Sequence, residues 1–204
     1  MEKGFTITYE YGDNLYVNPT NRCNFNCEFC LRKNGNDGSI YTHNLWLKRE
    51  PGLEEIFELL AQWDLSRYSE LVFCGYGEPT ERLDVLAAVA RHAKERFGCR
   101  VRVNTNGMAD LIWGRDTSAD FAGIVDVVSI SLNSPDPEKY QAVVRSRFGE
   151  KSFHAMLAFA QNVKRYVPEV VLTTVETVLT KEEEERCAEI CRNIGVTYRI
   201  RPWE

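Results

Sequence analysis

The sequence predicts an α/β protein, an open, partial (β/α)6 barrel of parallel strands with an N-terminal strand or hairpin added to its first edge. Three observations lead there. Strand-like and helix-like segments alternate along the whole chain, the pattern of parallel βα units with right-handed crossovers. From residue 15 onward six such strands can be counted, too few to close an eight-stranded barrel. The cysteines follow the first strand, Gly77-Glu78-Pro79 the second and Asn104 to Gly107 the third, so these polar signals gather at the C-terminal end of the sheet, where barrels carry their sites.

In chain order, residues 5–11 read as a strand that pairs with residues 15–17 across the turn at Gly12 and Asp13. Residues 32–48 are rich in Asn and Gly and form a long loop. A helix follows Pro51, with Ile56, Leu59, Leu60 and Trp63 on one face. Residues 71–74 form the next strand and run into Gly75-Tyr76-Gly77; residues 83–97 are an amphipathic helix stopped by Gly98. The strand at 101–103 closes in Asn104-Thr105-Asn106-Gly107, and 124–132 is a buried strand. Helices begin at Pro135-Asp136-Pro137 and at Phe153, and a strand covers 170–178. Thr180 N-caps an acidic first turn of the last helix, which ends at Gly195 ahead of the final strand, 196–201. No linker or repeat divides residues 1–204, so a single domain is expected, with a cysteine loop at 20–32 and a candidate lid at 32–48.

Composition is ordinary for a globular domain, with 44% hydrophobic and 27% charged residues. A net charge of −5 argues against a nucleic-acid surface. No apolar run reaches the ~18 residues of a membrane helix, and residues 1–5 lack a secretory pattern. Seven cysteines, three of them within eight residues, do not space as a disulfide framework; a reducing, cytoplasmic setting is expected.

Cys23, Cys27 and Cys30 carry the strongest signal. Thiolates are soft ligands suited to an iron–sulfur cluster or to zinc. Structural zinc calls for a fourth ligand at regular spacing, and His43, thirteen residues past Cys30, would make an irregular site.

This triplet, with Phe29 directly before its last cysteine, resembles the signature of the radical S-adenosylmethionine (SAM) superfamily. The segments LYVNPTNRCNFNCEFCLR from Leu15, FCGYGEPTERLD from Phe73 and NTNGMADLIWGRD from Asn104 resemble the small radical SAM proteins associated with TatD-family hydrolases. The resemblance implies that Cys23, Cys27 and Cys30 hold a 4Fe–4S cluster whose fourth iron is open to SAM. Reductive cleavage of SAM then yields a 5′-deoxyadenosyl radical that abstracts hydrogen. It further implies an electron donor such as flavodoxin or ferredoxin, and a functional association with a TatD-family hydrolase.

For SAM itself, Gly77-Glu78-Pro79 resembles the family's Gly-Gly-Glu-Pro motif, which binds the amino group; Tyr76 replaces its first glycine. Asn106 lies in a second turn. Ser129, Ser131 and Asn133 share one strand face, from which Ser131 and Asn133 are the candidates for SAM's carboxylate or ribose. Arg145 is the candidate arginine for that carboxylate, with Arg147 as its neighbour and competitor. Thr174, Glu176, Arg199 and Arg201 are weaker candidates on the last two strands. Cys74 reads as a small buried hydrophobe, Cys187 and Cys191 as a helix pair without a partner motif, and His92 and His154 as isolated. Two other functions compete: an activase that generates a glycyl radical on a partner protein, and a non-catalytic iron–sulfur carrier or sensor. A ferredoxin-type carrier saturates its cluster with four protein ligands.

Overall fold

The computed structural model describes residues 6–32 and 44–202. Its strands are β1 (Thr8–Tyr11), β2 (Asn14–Val17), β3 (Glu70–Phe73), β4 (Val101–Thr105), β5 (Val127–Ser131), β6 (Glu169–Val175) and β7 (Thr197–Arg201). They lie in one sheet in sequence order, β1 through β7. β1 runs antiparallel to β2, with Thr8 opposite Val17 and Tyr11 opposite Asn14; each later pair is parallel. The expected six parallel strands and hairpin extension are therefore present. β1 and β7 are the two edges, so the sheet curls without closing.

The helices are α1 (Leu53–Leu60), α2 (Leu83–Phe97), α3 (Ala109–Trp113), α4 (Pro137–Val144), α5 (Lys151–Val163) and α6 (Lys181–Ile194). Their ends follow local chemistry. Gly98 ends α2 and Gly195 ends α6 in the left-handed conformation that glycine adopts without a Cβ clash. Asp136 caps α4 by accepting from the Glu138 and Lys139 N–H groups, and Thr180 forms a capping box with Glu183 on α6. α1 stops before the expected face is complete. Trp63 lies beyond it, because Asp64 caps a new 3-10 turn, and its indole N–H donates to Thr8 Oγ1 at 3.1 Å. α3 escapes sequence reading because five residues are too few to show a period.

One large apolar core lies between sheet and helices. On β4, Val101 and Val103 are buried and pack in the same cluster as Leu86, Val89, Ala90 and Ala93 of α2. Each large aliphatic side chain buried this way contributes about 1.5–3 kcal/mol. The opposite face of the sheet, with Arg102 and Asn104 on β4 and Ser129 and Ser131 on β5, stays polar and forms the concave interior. A smaller cluster of Tyr9, Leu45 and Tyr76 pins the far end of the long loop onto the hairpin.

Candidate functional site

The loop after β2, the turn after β3 and the ends of β4, β5 and β6 enclose a cavity of about 190 Å³. Cys23, Cys27 and Phe29 line it from the cysteine loop, Gly77 and Glu78 from the β3 turn. Asn106, Ser131 and Asn133 complete the wall. Of the sequence candidates, Cys30 follows Phe29 but is not on that wall, and Pro79 is buried as the first residue of a 3-10 turn.

Close packing fixes the β3 turn against the cysteine loop. A Cβ on Gly77 would stand 2.3 Å from the Thr20 carbonyl oxygen and 2.6 Å from that of Arg22. One on Gly75 would stand 2.0 Å from Asn18 Oδ1. The side chain of Tyr76, between them, turns away into the apolar cluster with Tyr9 and Leu45, with its ring 5.2 Å from that of Trp46. This is how a tyrosine is accommodated within the glycine turn. The Glu78 N–H donates to the Arg22 carbonyl at 2.8 Å, which joins the two loops directly.

The Glu78 carboxylate is buried and fully employed. Its Oε1 accepts from Thr105 Oγ1 (2.6 Å), Thr80 Oγ1 (2.7 Å) and the Thr80 N–H (3.1 Å). Its Oε2 accepts from the Asn106 N–H at 2.7 Å. Burial pushes the carboxyl above its ordinary range, opposed by these donors from Thr105, Asn106 and Thr80. Asn106 in turn donates from Nδ2 to Asn24 Oδ1 (3.2 Å), and Asn24 donates to Glu81 Oε1 (3.3 Å). A buried polar chain thus runs from the β4 turn into the cysteine loop.

The far side of that loop rests on α4. The Asn26 and Glu28 N–H groups donate to the carbonyls of Val144 and Val143, and the Arg147 N–H donates to Asn24. Arg145 ends α4 with φ at +47°, its guanidinium paired with Glu28. It is exposed and not brought to the cavity wall. Arg147 faces Glu81 at 3.9 Å. Residues 33–43, the first part of the expected lid, lie outside the described residues; Leu45 and Leu47 at its far end are buried.

The donor set fits a cluster. None of the seven cysteines is in a disulfide, and the three of the triplet are half-exposed, with Cys23 and Cys27 on the cavity wall. Burial and the nearby Glu78 carboxylate push the Cys23 thiol up to about 12, so a thiolate there needs a cationic partner. Among the described residues no three His, Cys, Asp or Glu side chains converge on a point that would hold a single metal ion. A cubane differs, because each of its three thiolates meets a separate iron. On the cavity wall the buried carbonyl oxygens Asn104 Oδ1 and Asn133 Oδ1 have no partner among the described residues. Asn133 holds a left-handed backbone with φ at +60°, which aspartate and asparagine tolerate best. Unpaired buried acceptors are costly and suit a ligand with hydroxyl or ammonium donors.

The model of the radical SAM superfamily matches residues 17–194, most of the chain. The chain belongs to the radical SAM superfamily. No curated protein matches it by sequence. In structure it is similar to Streptococcus suis SuiB bound to precursor peptide SuiA, with TM-score 0.69 at 12% identity over 95% of this chain and 40% of that one. It is similar to TYW1 with a lysine-pyruvate adduct bound (TM-score 0.63, 15% identity, 94% of this chain and 65% of that one). It is also similar to a radical SAM methyltransferase from Sphaerobacter thermophilus (TM-score 0.60, 19% identity, 96% and 57%). At these identities the likeness establishes the partial-barrel fold. The chain spans about 40–65% of the length of these structures.

Asn24, which braces the site, and Thr173, which reaches it from β6, are absent from the sequence reading. Asn104 and Thr105 of the second turn and Arg201, a weaker candidate on the last strand, also line the cavity. Cys74 corrects an expectation: it is half-buried on the cavity wall, not a core hydrophobe, because its place one residue past β3 turns it to the concave side. Thr174 points to the helical face, where it bonds the Tyr198 hydroxyl at 2.7 Å. Cys187 and Cys191 are buried core residues of α6, and His92 stacks on Phe57 at 4.1 Å. No helix among the described residues is long and apolar enough to cross a membrane.

Proposed function

We propose that this chain is a radical SAM enzyme: Cys23, Cys27 and Cys30 hold a 4Fe–4S cluster, and the concave cavity binds SAM beside it. The supporting observation is the docking of the cysteine loop onto the Gly77–Glu78 turn, which sets both on one cavity. When bound, the cluster supplies the electron that cleaves SAM to methionine and a 5′-deoxyadenosyl radical, which abstracts hydrogen from a substrate.

The protein's residues bind and orient. Three thiolates leave one iron for the methionyl end of SAM. Gly77 and Glu78 border that end, with Asn106 holding the Glu78 carboxylate in place. Ser131 and Asn133 offer oxygen acceptors to the ribose or the amino-acid group, and Phe29 supplies an apolar wall next to the loop. With Arg145 paired to Glu28, its role is to tie α4 to the cysteine loop. Electrons come from a flavodoxin or ferredoxin, and the three motif segments support an association with a TatD-family hydrolase.

The test is anaerobic reconstitution with iron and sulfide, followed by incubation with SAM and dithionite. Reductant-dependent 5′-deoxyadenosine is expected from the parent protein and none from Cys27→Ala. A fully loaded protein that releases no 5′-deoxyadenosine would overturn the proposal in favour of an electron carrier or sensor.

A further inference from the structure

The concave face carries charge that SAM binding does not explain. Strand alternation places Arg102 and Asn104 of β4 on that face, and Arg199 and Arg201 of β7 join them. Contacts settle the assignment: Arg199 Nη2 donates to Ser129 Oγ at 3.3 Å, and Arg201 lines the cavity. Lower on the same face, Glu70 pairs with Arg100 at 3.0 Å and with Arg102 at 2.7 Å, while Glu169 pairs with Arg100 at 2.7 Å. Both carboxylates are therefore taken. Arg199 and Arg201 form no ion pair among the described residues, and Arg201 Nε is buried without any partner.

Two adjacent guanidinium groups with no carboxylate in ion-pair contact among the described residues are an uncommon cost in a concave, partly dry site; Glu70 and Glu169 act on Arg199 only from a longer range. Burial, then the neighbouring Arg102 and Arg201 cations, push the Arg199 pKa down, so an anion there would relieve a repulsion already present. A solubility role does not fit Arg201, whose side chain turns into the cavity and not outward from the edge strand. β7 stands three strands along the curved sheet from β4, or roughly 14 Å at the ~4.8 Å strand spacing. The arginines thus lie across the cavity from the Glu78 and Asn106 turns that border SAM's methionyl end.

We infer that Arg201 and Arg199 form the anion subsite for the substrate, which carries a carboxylate or phosphate group docked on β7 with its reacting carbon toward the cavity centre. This rests on the radical SAM reading for what the substrate undergoes, but not for the anion site itself. Guanidinium forks bind either oxyanion in bidentate fashion, so the source of the anion is left to the experiment.

The probes are succinate and inorganic phosphate, titrated by calorimetry into reconstituted protein with and without SAM, at fixed ionic strength. Saturable binding of at least one is expected, and the tighter one names the anion class. Arg201→Gln should weaken it about tenfold, the loss of one charge-assisted pair, and Arg201→Lys should weaken it less. SAM affinity, read from the change SAM makes in the reduced cluster's electron paramagnetic resonance spectrum, is measured for each variant beside the anion titration, because Arg201 lines the same cavity; anion binding should fall by the larger factor. Binding of neither anion, or equal binding by parent and Arg201→Gln, overturns the inference. So does a Gln variant that loses SAM affinity while the anions compete with SAM, since the arginine then serves SAM's own carboxylate. If the parent binds anions through Arg201 but never binds SAM, the subsite stands and the radical SAM activity falls.

Discussion

Replacing Gly77 with alanine tests whether the cysteine loop is held by close packing against the β3 turn. The added Cβ would sit 2.3 Å from the Thr20 carbonyl oxygen and 2.6 Å from the Arg22 carbonyl oxygen. Both are backbone atoms, so no side-chain rotation relieves the overlap, and the loop must move by roughly 1 Å to restore ordinary contact. That movement strains the 2.8 Å bond from the Glu78 N–H to Arg22, worth about 0.5–1.5 kcal/mol. Overpacking of a tight site adds about 1–3 kcal/mol. The expected loss is therefore about 1.5–4.5 kcal/mol in urea unfolding of the cluster-free protein. Cys23 follows Arg22 directly, so iron and sulfide incorporation should fall as well. Gly52→Ala is the control: nothing lies within 4 Å of its Cβ, and its φ of −71° suits alanine. Equal urea midpoints and equal iron content for Gly77→Ala and the parent would refute the reasoning.

Other expectations follow from single contacts. Glu78→Gln turns an amide N–H₂ toward one of the donors that now meet the carboxylate; by losing one charged hydrogen bond it should cost about 1.5–3 kcal/mol in urea unfolding and weaken SAM binding, which the same paramagnetic resonance titration reads. Cys27→Ala should fail to retain a 4Fe–4S cluster while Cys187→Ala loads normally, as measured by iron and sulfide content. Tyr140→Phe removes a buried hydroxyl that has no partner among the described residues, so the cluster-free protein should lose no stability and gain up to about 1–3 kcal/mol in urea; destabilisation would show that the hydroxyl is bonded. The Lys139 ammonium and the Thr180 N–H hold Glu183 below the usual carboxylate range. A lowered folded pKa gives stability that is complete above the unfolded value of about 4.3 and disappears as the pH falls through the folded value. Glu183→Gln should therefore destabilise at neutral pH and flatten the acid limb of the stability curve.

The sheet order was legible because each βα unit announces itself locally, through apolar strands, caps such as Thr180 and stops such as Gly98 and Gly195. The cysteine loop, Gly77 and Glu78 were legible because their spacing is rare outside one chemistry. What stayed hidden depends on contacts between distant segments. Asn24 looks like any loop asparagine until Asn106, 82 residues away, is found bonded to it. Arg145 carries the right charge just past a plausible helix, but its left-handed backbone at the end of α4 directs it to Glu28. One-dimensional order cannot supply that direction.

Arg201 shows the opposite failure, and it bears on function. The alternation of Thr197, Arg199 and Arg201 with Tyr198 and Ile200 gives two faces, yet not which one is concave. On an ordinary edge strand the charged face points to solvent. Here the sheet curls so that Tyr198 bonds Thr174 on the helical side, and the arginines are left facing the polar interior. The curl follows from the twist shared by all seven strands, a property of the whole sheet that no single strand encodes. The same curl that brings the Cys23 loop and the Glu78 turn onto one cavity brings Arg201 to the opposite wall. The proposed SAM site and the proposed anion subsite are thus consequences of one geometry. A substitution that breaks the end of the β6–β7 pairing, such as Val175→Pro opposite Arg201, should impair anion binding in the calorimetric titration while leaving iron and sulfide content intact.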